Sequence, residues 1–215
     1  MLPPGDDDRR QGRRRTQRRS RVLVIAVVAY AILWAVTAVA PVNRFDWLLE
    51  NLLVFVLLGT MIITYRRFPL STASYSLVTA FLALHAFGAH YTYSEVPLGF
   101  SAAKLFGLAR NHYDRLVHFA FGLLFAYPAR ELIMRGSNLR GWPLSVAVAV
   151  LIFAVAAGYE LLEWWVALLV SPSAAYAYLG TQGDVFDSQK DSSLALAGVV
   201  IGLAIIHLAV KARDR

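Results

Sequence analysis

Apolar residues in this chain fall into long blocks separated by short polar stretches, and the length of those blocks decides the fold class. Val22 to Ala40 is 19 residues without a charge, and Ser192 to Val210 is another 19. A helix needs ~20 apolar residues to cross a hydrocarbon core ~30 Å thick, so each block reads as a transmembrane helix. The same pattern predicts further spans at about 47–65, 72–93, 113–132 and 143–169. The expected fold is all-α: a polytopic transmembrane helix bundle of about six spans over residues 22–211. The intervening segments at about 94–112 and 171–190 are the longest and read as loops, with no room for a second domain and no internal repeat.

Composition agrees with the pattern. The chain is 58% hydrophobic and 16% charged, against ~25% charged in a soluble domain. There is no cysteine, which excludes disulfides, thiolate catalysis, Cys-ligated zinc and a lipoprotein anchor. The net charge of +7 comes from eight arginines between Arg9 and Arg21. That Arg-rich segment, residues 1–21, is expected to be a disordered cytoplasmic tail that touches anionic lipid. It is not read as a nucleic-acid-binding element. Ala38-Val39-Ala40 resembles a signal-cleavage site, but Pro41 follows it, so the first span is expected to stay uncleaved.

Basic residues orient the bundle. With the N-terminus inside, sixteen of the twenty-one Lys and Arg residues are cytoplasmic, and only Arg44, Lys104, Arg110, Arg115 and Lys190 are not. The positive-inside rule therefore predicts N-in and C-in. Seven of the fourteen acidic residues and four of the five histidines then share the outer side. Glu160 and Glu163 (i, i+3) fall in the outer third of span five, and Asp114 and His118 (i, i+4) open span four. Asp187 and Asp191 would share a face if span six starts early, with Asp184 just before it. His85, His90, Tyr93 and Glu95 close span three. His85 and His90 are five apart and meet one site only if Gly88 lets the helix bend. The uncharged core of span four, Leu116 to Ala129, is only 14 residues, about 21 Å, so charge lies at membrane depth there.

These residues define a candidate site. Buried carboxylates and imidazoles at helical spacing suit general acid–base work or metal ligation. Glu160, Glu163, Asp114 and His118 are the catalytic candidates. Arg110, Arg115, His90, Glu95, Tyr93, Asp184, Asp187 and Asp191 are the ligand-binding ones, the arginines as phosphate or counterion partners. Glu160, Glu163, His118 and His85 are candidate ligands for a divalent metal ion, with a purely structural polar network as the competing reading. Asp184-Val-Phe-Asp187 and Asp191 lack EF-hand spacing. Gly198-Val-Val-Ile-Gly202 predicts close helix packing, and Trp34, Trp47, Trp142, Trp164 and Trp165 read as interfacial anchors.

Arg110-Asn-His-Tyr-Asp-Arg-Leu-Val-His-Phe, Tyr178-Leu-Gly-Thr-Gln-Gly-Asp-Val-Phe-Asp, His90-Tyr-Thr-Tyr-Ser-Glu-Val-Pro-Leu-Gly and Tyr159-Glu160-Leu-Leu-Glu163-Trp164 together resemble the YjdF-type family of bacterial inner-membrane proteins. The resemblance covers roughly residues 45–205 and implies a multi-span membrane protein without assigning an activity. A weaker resemblance is to VanZ-like proteins, linked to glycopeptide-antibiotic tolerance. Asp114-Arg115 and His118 fit their Asp-basic-x-x-His helix start, while Glu163 replaces their Gln and Asp191 their Asn. This likeness implies a shared scaffold more than a shared activity.

Three functions remain open on the residues alone. The first is a protein that binds or processes a lipid or lipid-linked envelope precursor at an outward-facing site, with membrane lipids as partners. The second is a proton- or cation-coupled transporter. The third is an assembly factor with a buried polar network and no turnover. Neither turnover nor a protein partner can be assigned from the residues.

Overall fold

The computed structural model describes the backbone of residues 6–213 and the side chains of residues 21–212 except that of residue 177. The described residues form eight helices and no strand: α1 (Asp6–Thr37), α2 (Arg44–Thr64), α3 (Thr72–His90), α4 (Pro97–Phe106), α5 (Tyr113–Gly136), α6 (Gly141–Leu169), α7 (Pro172–Leu179) and α8 (Asp187–Arg213). Five of them, α2, α3, α5, α6 and α8, are long and apolar enough to cross a membrane, while the apolar part of α1, Arg21–Thr37, is shorter.

Local chemistry accounts for several of the helix ends. Asn43 caps α2, its side chain accepting from the amides of Phe45 and Asp46 at 3.0 and 3.3 Å. Ser71 caps α3 through the Ser74 amide. Two short helices occupy the segments read as loops. Both start with proline in the first turn, Pro97 and Pro172, and both stop at a left-handed glycine, Gly107 (φ 65°) and Gly180 (φ 57°). Of the segment read as a tail, residues 6–21 belong to α1, which continues back to Asp6, and residues 1–5 lie outside the described residues. Arginine is a good helix former, and aspartates suit the first turn of a helix. The arginine side chains from Arg9 to Arg19, with Arg213 and Arg215, lie outside the described side chains.

α5 and α8 cross at backbone contact. A Cβ on Gly122 would stand 1.9 Å from the Ala195 carbonyl oxygen, and one on Gly198 would stand 2.2 Å from that of Phe119. Gly202 meets Ala126 in the same way, at 2.7 Å. The Gly198–Gly202 pair thus packs as expected, against a third glycine on the facing helix. Towards the end of the bundle that holds Gly136 and Gly141, Ala126, Ala129, Leu144, Val148, Ile152 and Val199 fill the space between α5, α6 and α8. At that end Glu131 accepts hydrogen bonds from the amide of Ser71 and from the hydroxyls of Ser71 and Ser74, and it pairs with Arg135. Its carboxylate closes the N-terminus of α3.

Apolar side chains cover the outside. Ile25, Ile32, Val56, Ile62, Ile63, Leu168 and Leu169 are all more than half exposed, far beyond the scattered exposure of a soluble surface. Trp142, Trp164 and Trp165 are exposed as anchors would be, but Trp47 is 6% exposed. It packs inward against Trp34, ring centroids 5.5 Å apart, because the Trp34 indole is drawn onto α2 by a 2.7 Å bond to Asn51.

Candidate functional site

The polar end of the bundle carries Thr37, Arg44, His90, Tyr113, Leu169 and Asp187 at its helix ends. Asn111 and Gln182 stitch its two long connections together. The Asn111 amide donates to Gln182 Oε1 and Gln182 Nε2 donates to the Asn111 carbonyl, each at 3.0 Å. The Asn111 side chain also donates to the carbonyls of Ser94 and Val96 and accepts from the Tyr113 amide, so this fully buried group is satisfied. Gly99 makes room for it, since a Cβ there would fall 1.7 Å from Asn111 Oδ1.

That frame aligns the start of α5 with the start of α8. Arg110 grips Asp187 with both terminal nitrogens, at 2.7 and 3.3 Å, and also donates to the Thr181 carbonyl. Arg115 bridges Asp184 and Asp187, and Lys190 closes on Asp184. The planar guanidinium fork makes such two-point contacts with carboxylates. Lys190, with the Phe186 amide and Arg115, holds the Asp184 carboxyl below its ordinary value. Burial, together with Arg115 and Arg110, holds His112 below its ordinary value. Both arginines therefore serve as counterions, and their guanidinium groups are engaged by aspartate rather than free for phosphate.

Below this clamp lies a layer of carboxylates. His118 Nε2 is 3.2 Å from Glu160 Oε1 and 3.6 Å from Asp114 Oδ1. Asp191 reaches the same place from α8, with one ligand atom each of Asp114, His118 and Asp191 within 4.8 Å of one another. Asp191 is 1% exposed and its Oδ1 has no hydrogen-bond partner. The early start of α8 at Asp187 puts Asp187 and Asp191 one turn apart on the inward face.

Beside it, Tyr159 donates a 2.5 Å hydrogen bond to Glu50 Oε2. Glu163 stands within electrostatic reach of Glu160, Glu50 and Asp114. Tyr93 and His85 Nδ1 share a 2.5 Å hydrogen bond. Gly88, inside α3, permits it: the Tyr93 ring would stand 2.6 Å from a Cβ there, and Thr92 and Tyr93 turn back through positive φ. His85 Nε2 and both carboxylate oxygens of Asp46 are buried without partners.

The structure gathers Asp114, His118, Glu160, Glu163, Asp187, Asp191, Arg110, Arg115, Asp184, Tyr93 and His85 at this end. Two expected residues are not brought to this cluster. His90 Nδ1 bonds the Thr37 carbonyl at 2.8 Å and so ties α3 to the end of α1, apart from His85. Glu95 is exposed, because the left-handed turn at Thr92 and Tyr93 carries it outward. Asp46, Glu50 and Tyr159 were missed. The i, i+4 repeat of Asp46 and Glu50 at the start of an apolar helix was the available signal, since two like charges on one face destabilise a helix unless something offsets them.

A family model described as "Predicted membrane protein (DUF2238)" matches residues 22–212. The inner membrane protein YjdF of Escherichia coli (strain K12) is 36% identical over 190 residues, covering 86% of this chain and 90% of that protein. The resemblance to VanZ-like proteins is not shown by either match. No solved structure matches the chain.

Proposed function

Because the chain belongs to the DUF2238 family of predicted membrane proteins, an integral membrane protein with its relative in the bacterial inner membrane, we propose a six-span, N-in/C-in topology in that membrane. Its polar end then faces outward and binds the anionic headgroup of a lipid or lipid-linked envelope precursor. One observation carries the reading. Three cations, Arg110, Arg115 and Lys190, meet only two carboxylates, Asp184 and Asp187, in the clamp. Within the clamp itself the cations outnumber the carboxylates by one. An open cleft of about 390 Å³ lined by Arg115, Gln189, Lys190, Ser193 and Leu194 lies against it. A phosphate headgroup suits the charge and an acyl chain suits Leu194 and the apolar face beyond.

With the headgroup at the rim, the carboxylate layer lies next to the linkage that joins headgroup to lipid. Glu160 or Glu163 is the proton acceptor and His118 the relay. A transport path has less support: the side chains between α5, α6 and α8 below the carboxylates are the apolar group around Val148 and Val199, and α5 and α8 touch there through glycine.

The test is lipid analysis of protein purified in mild detergent. A phosphate-bearing lipid should co-purify in excess of its share of the membrane, and Lys190→Ala, exposed and readily tolerated, should lose most of that excess. A lipid complement that mirrors the bulk membrane in both proteins would refute the reading.

A further inference from the structure

We propose that Asp114, His118 and Asp191, with Glu160 as a fourth donor, form a binding site for one first-row divalent transition-metal ion such as Zn2+ or Mn2+. The inference deepens the reading above and rests on it only for the outward orientation of the site.

The donors come from three helices. Asp114 and His118 stand one turn apart on α5, Asp191 faces them from α8, and Glu160 comes from α6. Donors on one such ion lie ~2.0–2.2 Å from it, so two on opposite sides are about 4.2 Å apart. The 3.2 Å and 3.6 Å separations at His118 Nε2 fall inside that range. The 4.8 Å limit for the set with Asp191 exceeds it by less than an ångström, a gap that side-chain rotation closes.

Asp191 supplies an independent observation. Its Oδ1 is buried without any hydrogen-bond donor, and one oxygen of the same carboxylate belongs to the cluster. A buried carboxylate oxygen without a partner is costly, and the cost is offset only by a cation or a proton. The nearby guanidinium groups do not provide it, because Arg115 and Arg110 are bound to Asp184 and Asp187. Three carboxylates converge on one imidazole, leaving a deficit of positive charge at its centre. The imidazole decides the class of ion. Calcium and magnesium favour all-oxygen shells, whereas a nitrogen among carboxylates suits zinc, manganese or iron. Paired carboxylates and a histidine on facing helices are also how helix bundles present such ions. With the ion bound, His118 is a ligand rather than a relay, and Glu163, beside Tyr159, remains the proton acceptor.

The experiment uses the full-length protein in detergent, stripped with a chelator, then titrated with Zn2+, Mn2+ or Co2+ with no lipid ligand added. Metal content, thermal unfolding and the Co2+ absorption spectrum are read together. Wild type should take up one ion per chain and unfold at a higher temperature when loaded. Asp191→Asn and His118→Gln should each weaken uptake by at least ~100-fold, more than loss of a supporting outer-shell contact. Glu95→Gln, exposed and remote, should leave uptake unchanged. Should either site variant fail to fold, the wild type decides alone through the Co2+ ligand-field bands and the unfolding shift. No uptake by folded wild type, or unchanged affinity in Asp191→Asn, overturns the proposal in favour of a metal-free polar network of His118, Glu160 and Asp114. Neither outcome bears on the co-purified lipid, so the two readings fail separately.

Discussion

Tyr159 and Glu50 meet across the bundle at 2.5 Å, joining α6 to α2 through a phenol and a carboxyl group that are 109 residues apart in the chain. Removing the phenol leaves a buried oxygen without its donor, which costs about 1–3 kcal/mol. Tyr159→Phe should therefore lower the thermal unfolding temperature in detergent. Glu50→Gln keeps an acceptor of the same shape and should cost less. Equal losses in the two variants would mean that packing, and not the hydrogen bond, holds the contact.

The arginine clamp should be unforgiving of truncation. Arg110 and Asp187 are 11% and 5% exposed at their side chains, and breaking a buried pair by removing one partner costs about 3–5 kcal/mol. Arg110→Ala combined with Asp187→Asn should cost less than the sum of the two single variants, because either change alone already breaks the contact between them. A double-mutant cycle on unfolding free energy measures this directly. Additive losses would contradict it.

Glycine positions separate sharply. Gly122→Val and Gly198→Val would drive a side chain into the opposing backbone, and the folded yield should collapse in both. Gly59 has nothing within 4 Å of a Cβ, so Gly59→Ala should be neutral or raise stability by about 0.5–1 kcal/mol. Size-exclusion profiles after expression distinguish the three.

Acid should weaken the polar end in two steps. His112 lies below its ordinary value of 6.5 in the folded protein, burial being the main cause. The unfolded chain then binds the extra proton more readily, so this stability is complete above pH 6.5 and is lost as pH falls below it. Asp184 lies below its ordinary value of 3.8. Its contribution is present above that value and is lost at lower pH, as its folded form titrates. Unfolding temperature measured against pH should fall through both windows. His112→Asn should remove the upper step and Asp184→Asn the lower one.

What the sequence made legible was whatever depended on spacing along one helix. The span at 143–169 matches α6 within two residues at its start, and the Asp187–Asp191 face appears once α8 starts early. The Gly198–Gly202 contact was also visible, because a four-residue repeat needs no partner to be recognised. What stayed hidden depended on partners far apart in the chain. Arg110 and Arg115 read equally as phosphate or counterion partners, and their aspartate partners, Asp184 and Asp187, lie more than sixty residues away. Trp47 looked interfacial because its position near a span end says nothing about which way the ring turns. The helices α4 and α7 carried readable signals, Pro at the start and Gly at the stop, that hydropathy blocks alone do not register.

The pairing of Arg110 and Arg115 with aspartates also bears on how the chain is made. Synthesis runs from the N-terminus, so α5 is complete while Asp184 and Asp187 are still to be translated. Until they emerge, Arg110 just before α5 and Arg115 in its first turn, on a helix whose uncharged core is only 14 residues, have no acidic partner on the clamp. α8 is thus a neutralising element as well as a span.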